Sequence, residues 1–192
     1  MKFDFKGIPT PCYLLDLTLL KRNLELLQYV QNSSGAKIIC ALKGFAMHSV
    51  FDIVGEYLYG GAASSLNEAL LIKEKMKKPI YLYSPAYIPD EFEVLVQISS
   101  HITFNSLNQW NKYKNLAIGK VSCGLRVNPE YSEVKTDLYN PAIKGSRLGI
   151  LSSILPEVLD EGIEGLHFHV LCENDSYTLE RTLKYFEEKF SK

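Results

Sequence analysis

Strand-length apolar runs alternate with segments of helical spacing along most of the chain, and this alternation constrains the fold more than any other feature. A short strand near residues 11–15 comes first, and Asp16 then caps a helix that runs to the break at Ser33-Ser34-Gly35. Further strands are predicted near residues 37–43, 57–62, 79–83, 102–104, 121–127 and 165–170, and further helices near residues 49–56, 66–76, 89–98, 107–116 and 177–190. The last of these helices carries Leu179, Leu183, Phe186 and Phe190 on one stripe. Such a pattern is typical of βα units in a parallel sheet.

The number of units indicates a (β/α)8 barrel of the TIM type that is incomplete in this sequence. About six βα strands follow the leading strand, whereas a closed barrel has eight such units and typically about 250 residues. The chain has 192 residues, which we interpret as a single domain over 1–192. A doubly wound open sheet is the alternative, but it usually carries a Gly-rich first turn, and no G-x-G-x-x-G occurs here.

Composition and charge narrow the possible partners and compartment. The formal net charge is −1, which gives no basic field for nucleic acid, and no segment approaches 18 apolar residues, so we expect no membrane span. The acid at Asp4 interrupts the N-terminus, so we expect no signal peptide. The four cysteines are scattered, which favours reduced thiols in a cytoplasmic protein.

Polar residues that end apolar runs are the candidates for function, because barrel enzymes place their sites at the carboxyl ends of the strands. Lys43 closes the run 38–42. A lysine at the end of a buried strand is partly removed from water, which favours the free amine that forms imines. The alternative is an ordinary lysine whose ammonium group extends into solvent.

Two histidines fall in the last predicted strand. His167 and His169 are two residues apart, so both imidazoles point to the same side of the strand. A metal site with Cys172 and Glu173 is conceivable, because all of these residue types bind zinc, but no clear fourth ligand is present. The alternative for His167 is a hydrogen-bonded core residue.

Three further residues are candidates for binding a cofactor. Arg126 ends the strand near 121–127, where a guanidinium suits a phosphate, a carboxylate or a phenolate oxygen. Ser65 and Glu68 follow the strand near 57–62. Their spacing also fits an N-terminal capping box with no catalytic meaning, and for these two residues capping is the favoured interpretation.

An ordered set of motifs resembles the pyridoxal-phosphate (PLP) decarboxylases of the alanine-racemase-like fold. The motifs are Ala-Leu-Lys at 41–43, Ala-Ser-Ser-Leu-Asn-Glu at 63–68, Leu-Arg-Val-Asn-Pro at 125–129, Ser-Arg-Leu-Gly at 146–149 and His-Phe-His at 167–169. Within that group, Tyr-Ser-Pro-Ala-Tyr at 83–87, Phe-Asn-Ser at 104–106 and Cys-Glu-Asn at 172–174 are most similar to the carboxynorspermidine (carboxyspermidine) decarboxylases of polyamine synthesis. The likeness extends from about Thr10 to the last residue.

The resemblance implies that Lys43 forms an imine with PLP and that His169 stacks on the pyridine ring. It also implies a polyamine-type small-molecule substrate and a homodimer. The family's phosphate loop and C-terminal β-domain would lie beyond Lys192, and the leading strand would belong with that domain. Residues 171–172 replace the family's usual Gly-Ser, so a serine contact to the phosphate cannot be transferred to Cys172.

Besides a catalytically inactive remnant, two alternatives to this function remain open at the level of the sequence. One is another decarboxylase of the same fold, acting on diaminopimelate, ornithine or arginine. The other is a non-catalytic PLP-binding protein of cofactor homeostasis. Because the family's remaining parts are expected beyond residue 192, we predict that the 192-residue chain alone is inactive.

Overall fold

A computed structural model describes residues 5–191 of the chain. Residues 1–4 and Lys192 lie outside the described residues. The expectation of no signal peptide rests on Asp4 and therefore falls in the part that is not described. In the described part, six parallel strands form one sheet in chain order. The strands are β1 (Ile39–Ala41), β2 (Gly60–Ala63), β3 (Ile80–Tyr83), β4 (His101–Phe104), β5 (Ser122–Arg126) and β6 (Ile163–His167).

The helices match the predicted alternation. They are α1 (Leu17–Ser34), α2 (Phe51–Tyr57), α3 (Leu66–Leu71), α4 (Pro89–Ile98), α5 (Leu107–Ala117) and α6 (Ser176–Phe190). A π-helical turn, Ile72–Met76, continues α3, and 3-10 turns cover His48–Val50 and Asp137–Tyr139. No helix in the described part of the chain is long and apolar enough to cross a membrane.

The strand order confirms the predicted βα-unit sheet and disfavours the doubly wound alternative. In a doubly wound sheet the strand order reverses at a switch point, whereas here each strand pairs in parallel with the next one along the chain, from β1 to β6. That sequential order is the arrangement of a barrel wall.

Local capping explains where α1 begins and ends. The Asp16 side chain accepts hydrogen bonds from the backbone N–H groups of Thr18 and Leu19, at 2.8 and 3.1 Å. These bonds satisfy donors that have no partner within the helix. Gly35 ends the helix in the left-handed conformation, with φ of 74°. Both signals were readable in the sequence.

The core lies between the sheet and the helices that cover it. Phe92 of α4 and Phe104 of β4 have no exposed surface, and Trp110 of α5 packs edge-on against Phe104 with the ring centroids 5.2 Å apart. The indole N–H of Trp110 donates to Asp160 Oδ2 at 2.8 Å, so the one polar atom of this ring is satisfied. This aromatic cluster fixes α4 and α5 against the middle of the sheet.

Two apolar segments are only partly covered within residues 5–191. The segment 11–15 pairs with no strand there, and Tyr13 is 96% exposed. In α6, Leu179 and Leu183 are each 38% exposed. The helix instead buries Thr178 and Thr182, whose hydroxyl groups find acceptors nearby. The expected association of residues 11–15 with a β-domain stays a prediction.

The connection from β5 to β6 was not predicted at all. Residues 127–162 form a long irregular excursion that is anchored by an isolated bridge between Val127 and Ile150. Two backbone hydrogen bonds secure this bridge, from Asn128 N to Ile150 O and from Ile150 N to Arg126 O, at 2.8 and 2.9 Å. The excursion thereby returns to the carboxyl end of β5.

Candidate active site

The carboxyl ends of the six strands lie at one edge of the sheet and carry most of the candidate residues. A cleft of about 310 Å³ opens there, lined among others by Lys43, Tyr83, Arg126, Leu148, His169 and Cys172. Lys43 follows β1, Tyr83 and Arg126 are the last residues of β3 and β5, and His169 follows β6. The structure therefore brings together three of the five predicted site residues.

Lys43 and His169 are in direct contact across the cleft. The Nζ atom of Lys43 lies 3.1 Å from Nε2 of His169, although the two residues are far apart in the chain. The Lys43 side chain is exposed, so the expected removal of this lysine from water is wrong for the described residues. Strand β1 ends at Ala41, a turn follows over residues 42–44, and Lys43 lines the open cleft.

The electrostatic surroundings keep His169 uncharged. Burial, followed by the positive charges of Lys43 and Arg126, lowers the pKa of His169 to about 4. At neutral pH the ring is then neutral, so its Nε2 can accept a hydrogen bond from the amine of Lys43. The imidazole is thus an uncharged flat ring beside the candidate imine-forming nitrogen.

His167 lies on the same side as His169, as the spacing predicted. The two rings are nearly parallel, with an interplanar angle of 14° and centroids 6.0 Å apart. His167 also packs 5.2 Å from the ring of Tyr83, and burial, followed by the neighbouring His169 and Arg126, lowers its pKa to about 4. His169 follows the last residue of β6, so the strand ends earlier than predicted without changing the side on which the two rings lie.

The alternative of a metal site gains no support. No cluster of three or more histidine, cysteine or acidic residues that could hold an ion exists among residues 5–191. The four cysteines are free thiols, and Cys172 is exposed.

Arg126 is buried at the base of the cleft, with 4% of its surface exposed. Its Nη2 donates to the backbone carbonyl of His169 at 3.0 Å, and its Nη1 donates to the hydroxyl of Tyr83. Its Nε is buried without a partner among the described residues. An unpaired buried donor is costly, and two of the five guanidinium N–H groups are used in these bonds, so Arg126 keeps donors for acceptor oxygens of a bound group.

Ser65 and Glu68 do not line this cleft, and their contacts are those of a helix cap. Ser65 Oγ accepts from the backbone N–H of Glu68 at 3.3 Å. Glu68 Oε2 reaches back to the backbone N–H and the hydroxyl of Ser64, at 2.6 and 2.8 Å. These bonds agree with the capping interpretation, and a role for either residue in cofactor binding stays a prediction.

Tyr83 and Asn105 are site residues to which the sequence analysis gave no role. Both occur in the motifs that carry the family resemblance, but neither was assigned a function there. In the structure Tyr83 lines the cleft, and its hydroxyl donates a hydrogen bond to Asn105 Oδ1 at 2.9 Å. Asn105 could have been found by the criterion that identified Lys43 and Arg126, which is a polar residue at the carboxyl end of a strand. It directly follows β4. Their mutual contact could not be read from the sequence, since it depends on strand register.

The residues of the cleft fit an aldehyde cofactor with anionic substituents. Lys43 supplies an accessible amine for an imine, His169 a neutral ring beside it, and Arg126 an unpaired donor for an oxygen. The guanidinium of Arg126 is a permanent cation, and it favours an anionic group in the cleft. The class of protein is consistent with this chemistry, because the fold is that of the PLP decarboxylases with the alanine-racemase-like architecture.

Solved structures support that class. The chain superimposes with a TM-score of 0.86 and 46% identity on carboxynorspermidine decarboxylase from Campylobacter jejuni, crystallised with norspermidine. The match covers 96% of this chain and 47% of that one. Diaminopimelate decarboxylase from Helicobacter pylori, crystallised with L-lysine, superimposes with a TM-score of 0.77 at 18% identity over 97% of this chain and 51% of that one, and so shares the fold alone.

Relatives in sequence are more specific. The chain is 47% identical over 98% of its length to the carboxynorspermidine/carboxyspermidine decarboxylase of Campylobacter jejuni, and 44% identical over 96% to the carboxyaminopropylagmatine decarboxylase of Synechocystis. No family model matches the chain. Over nearly its whole length the chain is similar to part of the carboxynorspermidine/carboxyspermidine decarboxylases.

The likeness covers only part of these enzymes. The chain spans about half the length of the curated relatives it matches, 48% of the Synechocystis protein and 49% of the Campylobacter protein.

Proposed function

We propose that the protein containing this chain is a PLP-dependent decarboxylase of carboxynorspermidine or carboxyspermidine. It would release norspermidine or spermidine in polyamine synthesis. The observation that carries the proposal is the contact of 3.1 Å between Lys43 Nζ and His169 Nε2 in the cleft at the carboxyl ends of the strands. An amine beside a neutral ring is the arrangement that a covalently held aromatic aldehyde requires.

The roles of the residues follow from their positions. Lys43 would hold PLP through an imine, His169 would pack its ring on the face of the pyridine, and Arg126 would donate to an oxygen through its unpaired Nε. When bound, PLP supplies an electron sink that takes up the electron pair left by loss of CO₂. The chain's own contribution is to orient the ring and to place cations near its anionic substituents.

The substrate class rests on the names of the relatives. The Campylobacter relative and a second one from Herminiimonas arsenicoxydans, 37% identical over 88% of this chain and 46% of that protein, are both named carboxynorspermidine/carboxyspermidine decarboxylases. The Synechocystis relative is named for carboxyaminopropylagmatine at 44% identity, so this compound is the second candidate substrate. All these names point to carboxylated polyamines rather than to diaminopimelate, ornithine or arginine.

A catalytic role is favoured over cofactor homeostasis because the relatives named above are decarboxylases. We further propose a cytoplasmic homodimer, as the family resemblance implies, with the segment 11–15 joined to a β-domain. Light scattering on the full-length protein measures its oligomeric state directly.

The decisive assay supplies PLP to the full-length protein and measures CO₂ release from carboxynorspermidine, carboxyspermidine and carboxyaminopropylagmatine. We expect turnover of at least one of the first two. His169→Ala should weaken PLP binding about tenfold, because an aromatic contact contributes roughly 1 kcal/mol beyond its buried area. His48→Ala, at an exposed position, is the control. PLP binding without CO₂ release from any of the three compounds would contradict the proposed decarboxylase activity. It would favour a non-catalytic PLP-binding protein of cofactor homeostasis.

A further inference from the structure

Asn105 is the centre of a hydrogen-bond network beneath the cleft. It is 8% exposed and directly follows β4. Its Oδ1 accepts from the Tyr83 hydroxyl at 2.9 Å and from the backbone N–H of Gly149 at 3.0 Å. Its Nδ2 donates to the backbone carbonyl of Arg147 at 3.0 Å. One side chain thus joins the ends of two strands to the segment 147–149.

The backbone of that segment dictates which way the amide of Asn105 faces. A carbonyl oxygen can only accept and a backbone N–H can only donate, so Nδ2 must face Arg147 and Oδ1 must face Gly149. Because Oδ1 also faces Tyr83, the tyrosine hydroxyl must donate its proton to Asn105. The direction of the Tyr83 hydroxyl is therefore set by groups outside the cleft.

The direction of the Tyr83 O–H bond also determines which atom faces Arg126. A guanidinium can only donate, and the Nη1 of Arg126 is directed at the Tyr83 oxygen, whose lone pairs are free because its proton points to Asn105. Nη2 is held by the carbonyl of His169 at 3.0 Å. With both terminal nitrogens held, the guanidinium plane has a fixed position, and with it the unpaired Nε.

We propose that Asn105 is a positioning residue that, through Tyr83, fixes Arg126 for an acceptor oxygen of the group bound in the cleft. The inference rests on the proposed function, since it assumes that PLP occupies the cleft. Loss of the Asn105 amide frees the Tyr83 hydroxyl to turn its proton elsewhere. The guanidinium then loses the fixed acceptor that its Nη1 has in the Tyr83 hydroxyl.

The test measures PLP affinity of the full-length protein for Tyr83→Phe, Asn105→Leu, the double variant and Asn105→Asp. Tyr83→Phe and Asn105→Leu should each weaken binding about tenfold, the usual effect of losing a hydrogen bond to a charged group. Because both changes break one path, the double variant should be no weaker than the single variants. Asn105→Asp keeps the acceptor for Tyr83 but sets a carboxylate oxygen against the carbonyl of Arg147, so it should weaken binding less than Asn105→Leu without matching the unaltered protein.

A second measurement separates positioning from loss of stability. The pH at which the absorbance of the Lys43-bound cofactor changes should rise by roughly half a unit in Tyr83→Phe and Asn105→Leu, because the Arg126 cation is then held less closely. Leu95→Ala removes a buried side chain of α4 outside the network. It should lower the urea midpoint without moving that pH.

Three outcomes overturn the inference. Additive effects of Tyr83→Phe and Asn105→Leu would show that the two residues act independently. An unchanged PLP affinity and pH midpoint in Asn105→Leu would show that Asn105 has no positioning role, while the proposed function would stand. Failure of the unaltered protein to bind PLP at Lys43 would overturn the proposed function and this inference together.

Discussion

The cleft contains two basic side chains and two histidines whose imidazoles are uncharged at neutral pH. Arg126 is buried beside His169, and Lys43 approaches the same ring at 3.1 Å. Protonation of either imidazole would add a third cation to a poorly hydrated space. With both imidazoles neutral, the charge that a ligand meets comes from the lysine and the arginine alone. Such a cleft suits a phosphate or a carboxylate better than the ammonium groups of a polyamine.

Stability should fall as the pH is lowered from 6.5 to 4. In the unfolded chain His167 takes up a proton near its ordinary pKa of 6.5, whereas burial keeps its pKa at about 4 in the folded protein. The unfolded state therefore binds more protons in this window, and folding loses on the order of 2 kcal/mol from this residue. His101 and His169, with pKa values that burial also lowers, add to the same trend.

Urea unfolding of the full-length protein between pH 7 and pH 4 measures this effect. His167→Gln should flatten the dependence of the unfolding free energy on pH, and His48→Gln, at an exposed position, should leave it unchanged. Equal slopes for the unaltered protein and His167→Gln would contradict the assigned pKa of His167.

At the scale of elements, the sequence predicted what hydrophobic periodicity and caps encode. Helix α4 begins at Pro89 and ends at Ile98 as predicted, because proline fixes its first turn and an apolar stripe faces the core. Strand β2 begins three residues later than predicted, at Gly60 rather than at Tyr57. Small residues fill this strand, so apolar character alone could not mark where it begins.

What could not be predicted depends on contacts between distant segments. Residues 127–162 return to the end of β5, but their sequence has no hydrophobic periodicity that predicts this return. The hydrogen bonds of Asn105 depend on the register of β3 against β4, which the sequence does not specify. Helix α6 forms as predicted, but Leu179 and Leu183 are exposed, because periodicity identifies an apolar stripe without showing what covers it. Lys43, Arg126 and His169 were predictable because parallel strands bring their carboxyl ends to one edge.

Gly149 should be irreplaceable in the segment 147–149. Its φ is +86°, and a Cβ added there would lie 2.8 Å from the carbonyl carbon of Val127. Gly149→Ala should therefore lower the unfolding free energy by about 3 kcal/mol or more. The loss combines backbone strain at residue 149 with displacement of Val127, which forms the isolated bridge with Ile150. Gly119→Ala is the matched control, because Gly119 has φ of +75° and nothing within 4 Å. It should cost about 1 kcal/mol, and an equal loss in both variants would contradict the close packing at Gly149.

At the scale of the whole molecule, the six strands form a wall whose two outer strands are edges. Within residues 5–191, β1 and β6 each pair along one side only. Unpaired backbone N–H and C=O groups at such edges promote association with another chain. The sequence predicted both the strand count and this open arrangement.

We therefore expect residues 1–192, expressed alone, to associate and to release no CO₂ even with excess PLP. Light scattering and the decarboxylation assay described above test both parts. A soluble monomer whose turnover approaches that of the full-length protein would show that six strands suffice for a working site. It would also remove the reason for expecting a contribution from further segments.

The proposed imine between Lys43 and PLP can be identified chemically. The full-length protein is loaded with PLP, reduced with borohydride and digested, and the modified peptide is identified by mass spectrometry. We predict a pyridoxyl adduct on Lys43, absent from Lys43→Arg and retained in Lys37→Arg, where the changed lysine precedes β1 at the opposite end of that strand. An adduct on any other lysine, or none on Lys43 in protein that has bound PLP, would contradict the account.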